Sequence, residues 1–302
     1  MTKNNTYHDS VLLNESIEGL NIKPNGVYVD VTYGGGGHSK AILNALDANG
    51  KLLAFDTDPD ALANKIDDER LVLISGNFRF IKRFLKFHGF EKVDGILADL
   101  GVSSHQFDEP ERGFSTRFDG NLDMRMNVNS PMTAAQVINT YTEEELTRIF
   151  RDYGELRQAK RFAKKIVSQR NDKPINGTTQ LKQCLSAIVP KSRENKIYAQ
   201  VFQAVRLEVN QELEVLKEFL TQTPDLINKG GRLSVISYHS LEDRLVKRFI
   251  RNGMFEGEPE RDIYGNYEVP FKKVGSLIVP NEAEIKQNNR ARSAKLRIAE
   301  RL

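Results

Sequence analysis

The sequence predicts an α/β protein whose parallel sheet is interrupted by a helical insertion. In the first hundred residues, short apolar runs alternate with helix-length segments, which is typical of βαβ units. A block of helix-like segments follows, and the alternating pattern resumes after Gly230-Gly231. We therefore predict a discontinuous sheet domain over residues 1–104 and 211–302, with a mainly helical domain inserted over 105–210.

Four strands are predicted in the first part of the chain, over residues 27–31, 51–55, 71–74 and 93–98. A helix is predicted over 38–46. Another begins at Pro59, because Asp58 is a favourable N-cap and proline is favourable at the first helical position.

A segment rich in glycine and phenylalanine, over 101–126, spans the start of the insertion and indicates an extended functional loop. Helices are then predicted over 142–154, 156–170, 179–189 and 196–220, the first of them with a Thr142/Glu145 capping box. After the insertion we predict a strand over 232–238, a helix capped by Ser240, a long loop over 253–275 and a final strand over 295–299.

The composition is that of an ordinary globular protein, with 302 residues, 39% hydrophobic and 28% charged. No apolar run is long enough for a membrane span, and the polar first ten residues do not match an export signal. The single cysteine, Cys184, excludes an internal disulfide framework and a thiolate zinc cluster, which favours the cytoplasm. A net charge of +3 does not by itself identify a nucleic-acid-binding protein.

The glycines at 34–37 connect the first predicted strand to the first predicted helix. Glycines in this position let the backbone approach a nucleotide-like ligand, and Asp56 at the end of the next strand can accept hydrogen bonds from ribose hydroxyls. This pattern favours a ligand site over a purely structural turn.

The ligand is either a nicotinamide dinucleotide or S-adenosylmethionine, since both occupy sites of this kind. Ser39 stands where the third glycine of the dinucleotide fingerprint would lie. Asp30 ends the first strand, where methyltransferases often have an acid near the methionine amino group. The pattern therefore favours S-adenosylmethionine.

Asp99 follows the strand predicted over 93–98. Ligands of open α/β sheets bind at the carboxyl ends of the strands, so Asp99 is expected to face the same crevice as Gly36 and Asp56. It can contact the donor or a substrate amine, or it can cap a turn.

Two further segments leave a functional and a structural interpretation equally open. His239 follows the strand over 232–238 and is either a substrate contact or a buried, hydrogen-bonded histidine. Asp123 and Arg125 lie in the predicted loop and either face the substrate or belong to an amphipathic lining.

Five cations in the insertion follow helical spacing and are predicted on one helix face: Arg157, Lys160, Arg161, Lys164 and Lys165. The opposite face is predicted to be buried, with Ala159, Phe162, Ala163 and Ile166. A solvated face usually mixes charges of both signs, so RNA phosphate binding and simple solvation are equally supported.

Taken together, the motifs resemble the bacterial 16S ribosomal RNA cytosine-N4 methyltransferase family, known as RsmH or MraW. The resemblance spans nearly the whole chain and is carried by YHDSVLL at 7–13, GGGGHS at 34–39, DGILADLGVSS at 94–104, ERGFS at 111–115, LDMRM at 122–126, QAVR at 203–206, GRLS at 231–234, HSLEDR at 239–244 and RARSAKLR at 290–297.

The resemblance implies a Rossmann-like class I methyltransferase sheet, S-adenosylmethionine as methyl donor, and methylation of a decoding-centre cytidine of 16S rRNA in the small ribosomal subunit. It implies donor contacts at Gly36, Gly37, His38, Asp56, Phe78, Asp99 and Gln106. Spacing alone would place Phe78 in the core. No metal and no covalent nucleophile are expected, and Asp99 is the candidate catalytic residue.

Because the sequence departs from general methyltransferase patterns at two places, it does not identify the residue that binds the cytosine. Thr32 replaces the first glycine of the usual loop, and the segment from Asp99 to Val102 replaces an Asp-Pro-Pro-Tyr type motif. The alternatives are a DNA cytosine-N4 methyltransferase, a nicotinamide-dependent oxidoreductase and a non-catalytic RNA-binding assembly protein. The oligomeric state stays open.

Overall fold

A computed structural model describes residues 10–264 and 267–302 of the chain, which divide into two compact units. The sheet unit comprises the residues up to Gly101 together with Leu213–Leu302, and the helical unit comprises Val102–Glu212. The segment at 7–9, part of the first family motif, lies outside the described residues. No α-helix in the described part of the chain is long and apolar enough to cross a membrane.

The sheet unit is built on a seven-stranded sheet with the order β3-β2-β1-β4-β5-β7-β6. Its strands are β1 (Val27–Asp30), β2 (Lys51–Asp56), β3 (Leu71–Ser75), β4 (Val93–Asp99), β5 (Ile227–Ser237), β6 (Phe271–Ile278) and β7 (Lys295–Arg301). Neighbours among β1 to β5 pair in parallel, whereas β7 is antiparallel to both β5 and β6. The Rossmann-like α/β fold is confirmed, and the strand order reverses between β1 and β4, where such sheets bind ligands.

The central strands are apolar because helices cover both faces of a parallel sheet. Leu53, Phe55, Ile96 and Leu233 are completely buried. The prediction of a long loop over 253–275 is wrong at its C-terminal end, because β6 begins at Phe271. This strand lies at the sheet edge and is largely exposed, so it lacks the apolar run that identifies a buried strand.

The α-helices of the described residues are α1 (Leu13–Leu20), α2 (Gly37–Ala45), α3 (Pro59–Ala63), α4 (Ile81–Phe87), α5 (Ser104–Asp108), α6 (Ala134–Thr140), α7 (Glu143–Asp152), α8 (Ala159–Asp172), α9 (Thr178–Leu185), α10 (Glu194–Asn210), α11 (Glu212–Leu226), α12 (Ser240–Asn252) and α13 (Glu282–Gln287). The predicted caps of α3 and α7 are confirmed. The Asp58 side chain accepts the Asp60 N–H at 3.1 Å, and Thr142 and Glu145 form the capping box.

Three helix predictions are wrong. The single helix predicted over 196–220 is two helices, because Gln211 adopts a left-handed conformation with φ of 51°. The residue that caps α12 is His239 rather than Ser240. The segment predicted as an extended loop contains the short helix α5, which begins with a capping box formed by Ser103 and Gln106.

The helical unit has its own hydrophobic core, built from α6 to α10 together with residues of the preceding loop. Val137, Leu146, Phe150, Ile166 and Val205 are fully buried within it. The exposed side chains of this unit are therefore supported by a hydrophobic core of its own.

Candidate functional site

Three carboxylates lie at the carboxyl ends of parallel strands in the sheet unit. Asp30 ends β1, Asp56 ends β2 and Asp99 ends β4. Because these strands run in parallel and are neighbours in the sheet, their ends form one edge. The sequence placed all three residues at strand ends, and the structure agrees.

The glycine loop between β1 and α2 needs left-handed backbone. Gly34 and Gly36 have φ values of 51° and 77°, which glycine adopts without a steric penalty. A Cβ on Gly37 would overlap the Ser10 Oγ, so a side chain here would require Ser10 to move. The left-handed backbone therefore explains why glycine is favoured at positions 34 and 36.

Asp30 is completely buried and holds the loop in place. Its carboxylate accepts hydrogen bonds from the Thr32 N–H at 3.0 Å, from the Thr32 hydroxyl at 3.3 Å and from the Ser39 hydroxyl at 2.7 Å. The Thr32 hydroxyl in turn accepts the Asp99 N–H at 2.7 Å. Thr32 therefore ties the ends of β1 and β4 together, a bond that a glycine at this position could not make.

Backbone N–H groups donate hydrogen bonds to both oxygens of the Asp56 carboxylate. The Gly34 N–H donates to Oδ2 and the Asp58 N–H donates to Oδ1, both at 2.8 Å. Burial raises the pKa of Asp56, while these backbone bonds oppose the increase. Each carboxylate oxygen has a second lone pair, so Asp56 retains acceptor capacity for hydroxyl groups of a ligand.

Asp99 lies in a chain of polar contacts with His38 and Tyr238. The Tyr238 hydroxyl donates to Asp99 Oδ1 at 2.8 Å, and His38 Nδ1 lies 3.6 Å from Asp99 Oδ2. Burial raises the pKa of Asp99 to about 6. His38 and the Tyr238 hydrogen bond lower it, and the charges of Asp30 and Glu242 raise it. Asp99 thus changes charge just below neutral pH.

His38 is buried, and its second ring nitrogen fixes how it can face Asp99. Nε2 lies 3.2 Å from the Val11 carbonyl oxygen, which can only accept a hydrogen bond. Nε2 therefore carries the hydrogen, and in the neutral ring Nδ1 presents a lone pair to the Asp99 carboxyl group. A hydrogen bond between the two groups therefore requires a proton on either His38 Nδ1 or the Asp99 carboxyl group.

Tyr238 is the site residue that sequence reasoning missed. Burial raises its pKa well above the ordinary value, so the hydroxyl stays protonated and acts as a donor to Asp99. The signal that could have found it is its position directly after β5, which runs parallel to β4.

Phe78 and Gln106 have structural surroundings of their own. Phe78 begins a 3₁₀ turn after β3, is partly buried, and packs edge-on against Phe219 with ring centroids 5.3 Å apart. Gln106 belongs to the helical unit, where its side chain accepts the Ser103 N–H at 3.2 Å. The donor contacts predicted for both remain predictions.

One ring nitrogen of His239 is hydrogen-bonded within its own helix, whereas the other, Nε2, is buried and has no hydrogen-bond partner among the described residues. Its Nδ1 accepts the Glu242 N–H at 3.4 Å, and its Nε2 lies 3.2 Å from Glu242 Oε1. The buried Glu242 carboxylate also accepts the Tyr238 N–H at 2.9 Å. The Nδ1 bond supports a structural role for His239 at the start of α12, and the unpartnered Nε2 keeps the substrate-contact interpretation a prediction.

Asp123 and Arg125 bind each other within the helical unit. Arg125 donates to both carboxylate oxygens of Asp123, at 2.9 and 2.7 Å, and to the Ser130 carbonyl at 2.8 Å. Burial alone would raise the pKa of Asp123, but the Arg125 hydrogen bonds outweigh it and the pKa is lowered. The pair braces the turn around Met124, a buried residue with φ of 58°.

Four of the five predicted cations lie on α8, whereas Arg157 precedes the helix and is exposed in the turn before it. Lys160, Arg161 and Lys164 are exposed and Lys165 is partly buried. The opposite face, with Ala159, Phe162, Ala163 and Ile166, is buried as predicted. We call the cations Lys160, Arg161, Lys164 and Lys165 the α8 stripe.

Comparison with known proteins gives consistent matches over the whole chain. A family model described as the MraW methylase family matches residues 5–302. A protein of Flavobacterium johnsoniae named Ribosomal RNA small subunit methyltransferase H is 64% identical over 302 residues, covering 100% of both chains. Proteins with the same name from Christiangramia forsetii and Bacteroides thetaiotaomicron are 62% and 52% identical, each alignment covering 98% of both chains.

Proposed function

This chain belongs to the MraW methylase family, and we propose that it transfers a methyl group from S-adenosylmethionine to N4 of a decoding-centre cytidine in 16S rRNA of the small ribosomal subunit. The observation that carries the chemistry is the Asp99 carboxylate, held between His38 and Tyr238 at the strand edge beside the glycine loop. The relatives' names support ribosomal RNA of the small subunit as the substrate.

The residues at the strand edge fit the methyl donor. S-Adenosylmethionine supplies an electrophilic methyl group attached to a sulfonium. The left-handed glycines let the loop backbone approach such a ligand. The remaining lone pairs of Asp56 can accept hydrogen bonds from its ribose hydroxyls. The proposal includes the family-implied donor contacts, namely Gly36, Gly37, His38, Asp56, Phe78, Asp99 and Gln106.

The amine of cytosine is a weak nucleophile because its lone pair is delocalised into the ring. A carboxylate that accepts a hydrogen bond from this amine localises the lone pair for attack on the methyl carbon. When the nitrogen–carbon bond forms and the carbon–sulfur bond breaks, N4 loses one proton, which Asp99 accepts. With a pKa of about 6, Asp99 is largely ionised at neutral pH and can play this role.

We expect Asp56→Ala to weaken donor binding about 10- to 150-fold, because a lost charge-assisted hydrogen bond costs about 1.5 to 3 kcal/mol. Asp58→Ala is the matched control. It removes the cap of α3, so it is expected to cost about 0.5 to 2 kcal/mol of stability and leave donor affinity unchanged. Calorimetry with S-adenosylmethionine and thermal melts measure both effects. Equal donor affinity in wild type and Asp56→Ala would remove Asp56 from the site.

The proposed function is tested with S-adenosylmethionine labelled in the methyl group. We expect label to enter small subunits, or their stripped 16S rRNA, from cells that lack this protein. Nuclease digestion and mass spectrometry then locate the methyl group, which is expected on N4 of one cytidine. Label on DNA cytosine instead would favour the alternative of a DNA methyltransferase, and no transfer to either polymer would favour a binding role.

A further inference from the structure

We propose that a cationic pocket in the sheet unit, between α12, the edge strand β6 and its neighbour β7, binds one nucleotide of the substrate RNA away from the methylated cytidine. The cavity has a volume of about 350 Å³. Pockets of about 300 to 1,000 Å³ are typical of small-ligand sites, so this one suits a single nucleotide. The identity of the strand as ribosomal RNA rests on the proposed function.

The charge of the pocket is uncompensated. Lys247 and Arg251 of α12 and Lys273 of β6 line the cavity and are exposed. Within residues 10–264 and 267–302, none of the three forms an ion pair. A fourth cation of the lining, Arg297, pairs with Asp243 at 2.7 Å, and Asp243 also pairs with Lys295.

The three free cations line one cavity, and two of them carry like charges at adjacent turns of α12. Lys247 and Arg251 are four residues apart on one helix, a spacing at which like charges destabilise a helix by about 0.2 to 0.5 kcal/mol. Lysine on an edge strand deters pairing with other chains. This role explains Lys273 but not the two cations of α12. It does not account for cations converging from a helix and a strand on one cavity, and an anionic ligand does.

The floor of the pocket is apolar. Ile250, Phe271 and Ile298 line it and are almost completely buried. The exposed part of the lining is therefore mainly cationic, with Lys247, Arg251 and Lys273. This lining matches the phosphate group of one nucleotide in an RNA strand.

The pocket is separate from the proposed methylation site. α12 begins beside Tyr238, and Lys247 and Arg251 lie 7 and 11 residues after its first residue, Ser240. At about 1.5 Å per residue they lie roughly 10 to 17 Å along the helix from its start. A strand that places its cytidine near Asp99 would use this pocket for a different nucleotide.

The test uses the double variant Lys247→Gln/Lys273→Gln and a labelled single-stranded RNA of the decoding region. Each single-strand phosphate contact contributes about −0.7 to the slope of log affinity against log salt. Losing two contacts should flatten the slope by about 1.4 and weaken binding on the order of 25-fold at 0.1 M salt. Donor affinity and melting temperature should stay unchanged, because both side chains are exposed.

The matched control is Lys65→Gln/Lys229→Gln, which removes the same charge from two exposed lysines elsewhere in the sheet unit. An equal flattening in the control would overturn the proposal, since it would reflect net charge alone. A second variant, Ser276→Trp, fills the cavity without changing its charge and is expected to weaken RNA binding at every salt concentration. Unchanged RNA binding by Ser276→Trp would also overturn the proposal.

The binding measurement does not need turnover, so it separates this proposal from the proposed function. Normal methylation of 16S rRNA with unchanged RNA binding in the pocket variants would overturn the pocket alone. Weakened RNA binding in the pocket variants, with no methyl transfer by the wild type, would overturn the methylation proposal and support the pocket.

Discussion

Asp99→Asn is expected to lower the single-turnover rate of methyl transfer roughly 10²-fold or more at saturating donor. The substitution keeps the shape of the side chain and removes the group that accepts the cytosine proton. The wild-type rate should rise with pH through about 6, because only the ionised carboxyl group accepts a proton and the pKa of Asp99 is about 6. Rapid-quench measurements between about pH 5 and 9 should show that this rise is absent in Asp99→Asn.

A rate for Asp99→Asn within a few-fold of wild type would make Asp99 a donor contact or a structural group. Tyr238→Phe is the companion variant. It removes the hydroxyl that stabilises the Asp99 carboxylate, so the pKa of Asp99 should increase and the rise in rate should move to higher pH. At pH values well above this rise, the rate should approach that of wild type. A loss of rate that is the same at all pH values would contradict this role for Tyr238.

Reversing three charges of the α8 stripe, with Lys160→Glu, Lys164→Glu and Lys165→Glu together, is expected to flatten the salt dependence of RNA binding by at least about 2 units. The estimate is three phosphate contacts at about 0.7 each. Melting temperature and donor affinity should change little, because the buried face of α8 with Phe162 and Ile166 is untouched. RNA affinity as a function of salt concentration is the measurement.

The control reverses three exposed lysines of the same unit outside the stripe, with Lys173→Glu, Lys191→Glu and Lys196→Glu. A wild-type salt slope in the stripe variant would show that the stripe is only a solvated surface. Equal effects in both triple variants would assign the change to net charge rather than to this helix face.

The sequence by itself determined the sheet and the position of its carboxylates. Apolar runs of strand length alternate with helices, and the carboxyl ends of neighbouring parallel strands must lie at one edge. The sequence alone therefore predicts that Asp30, Asp56 and Asp99 lie there. The caps at Asp58 and Thr142 were also predictable, because capping depends on residues only two or three positions apart.

Only the tertiary structure decided what these groups contact. The bond between Tyr238 and Asp99 joins residues 139 positions apart, and the bond between Thr32 and Asp99 spans 67 positions. No local pattern encodes such pairs, since they depend on which strands become neighbours.

The errors have the same physical origin. His239 competes with Ser240 for the cap of α12, and its ring takes that position while Glu242 is buried against it. Gln211 interrupts two helices whose apolar pattern continues across the break, and β6 has no apolar run because it is a sheet edge. Local periodicity determines the elements, whereas the environment of each side chain depends on the packing of segments that are distant in the chain.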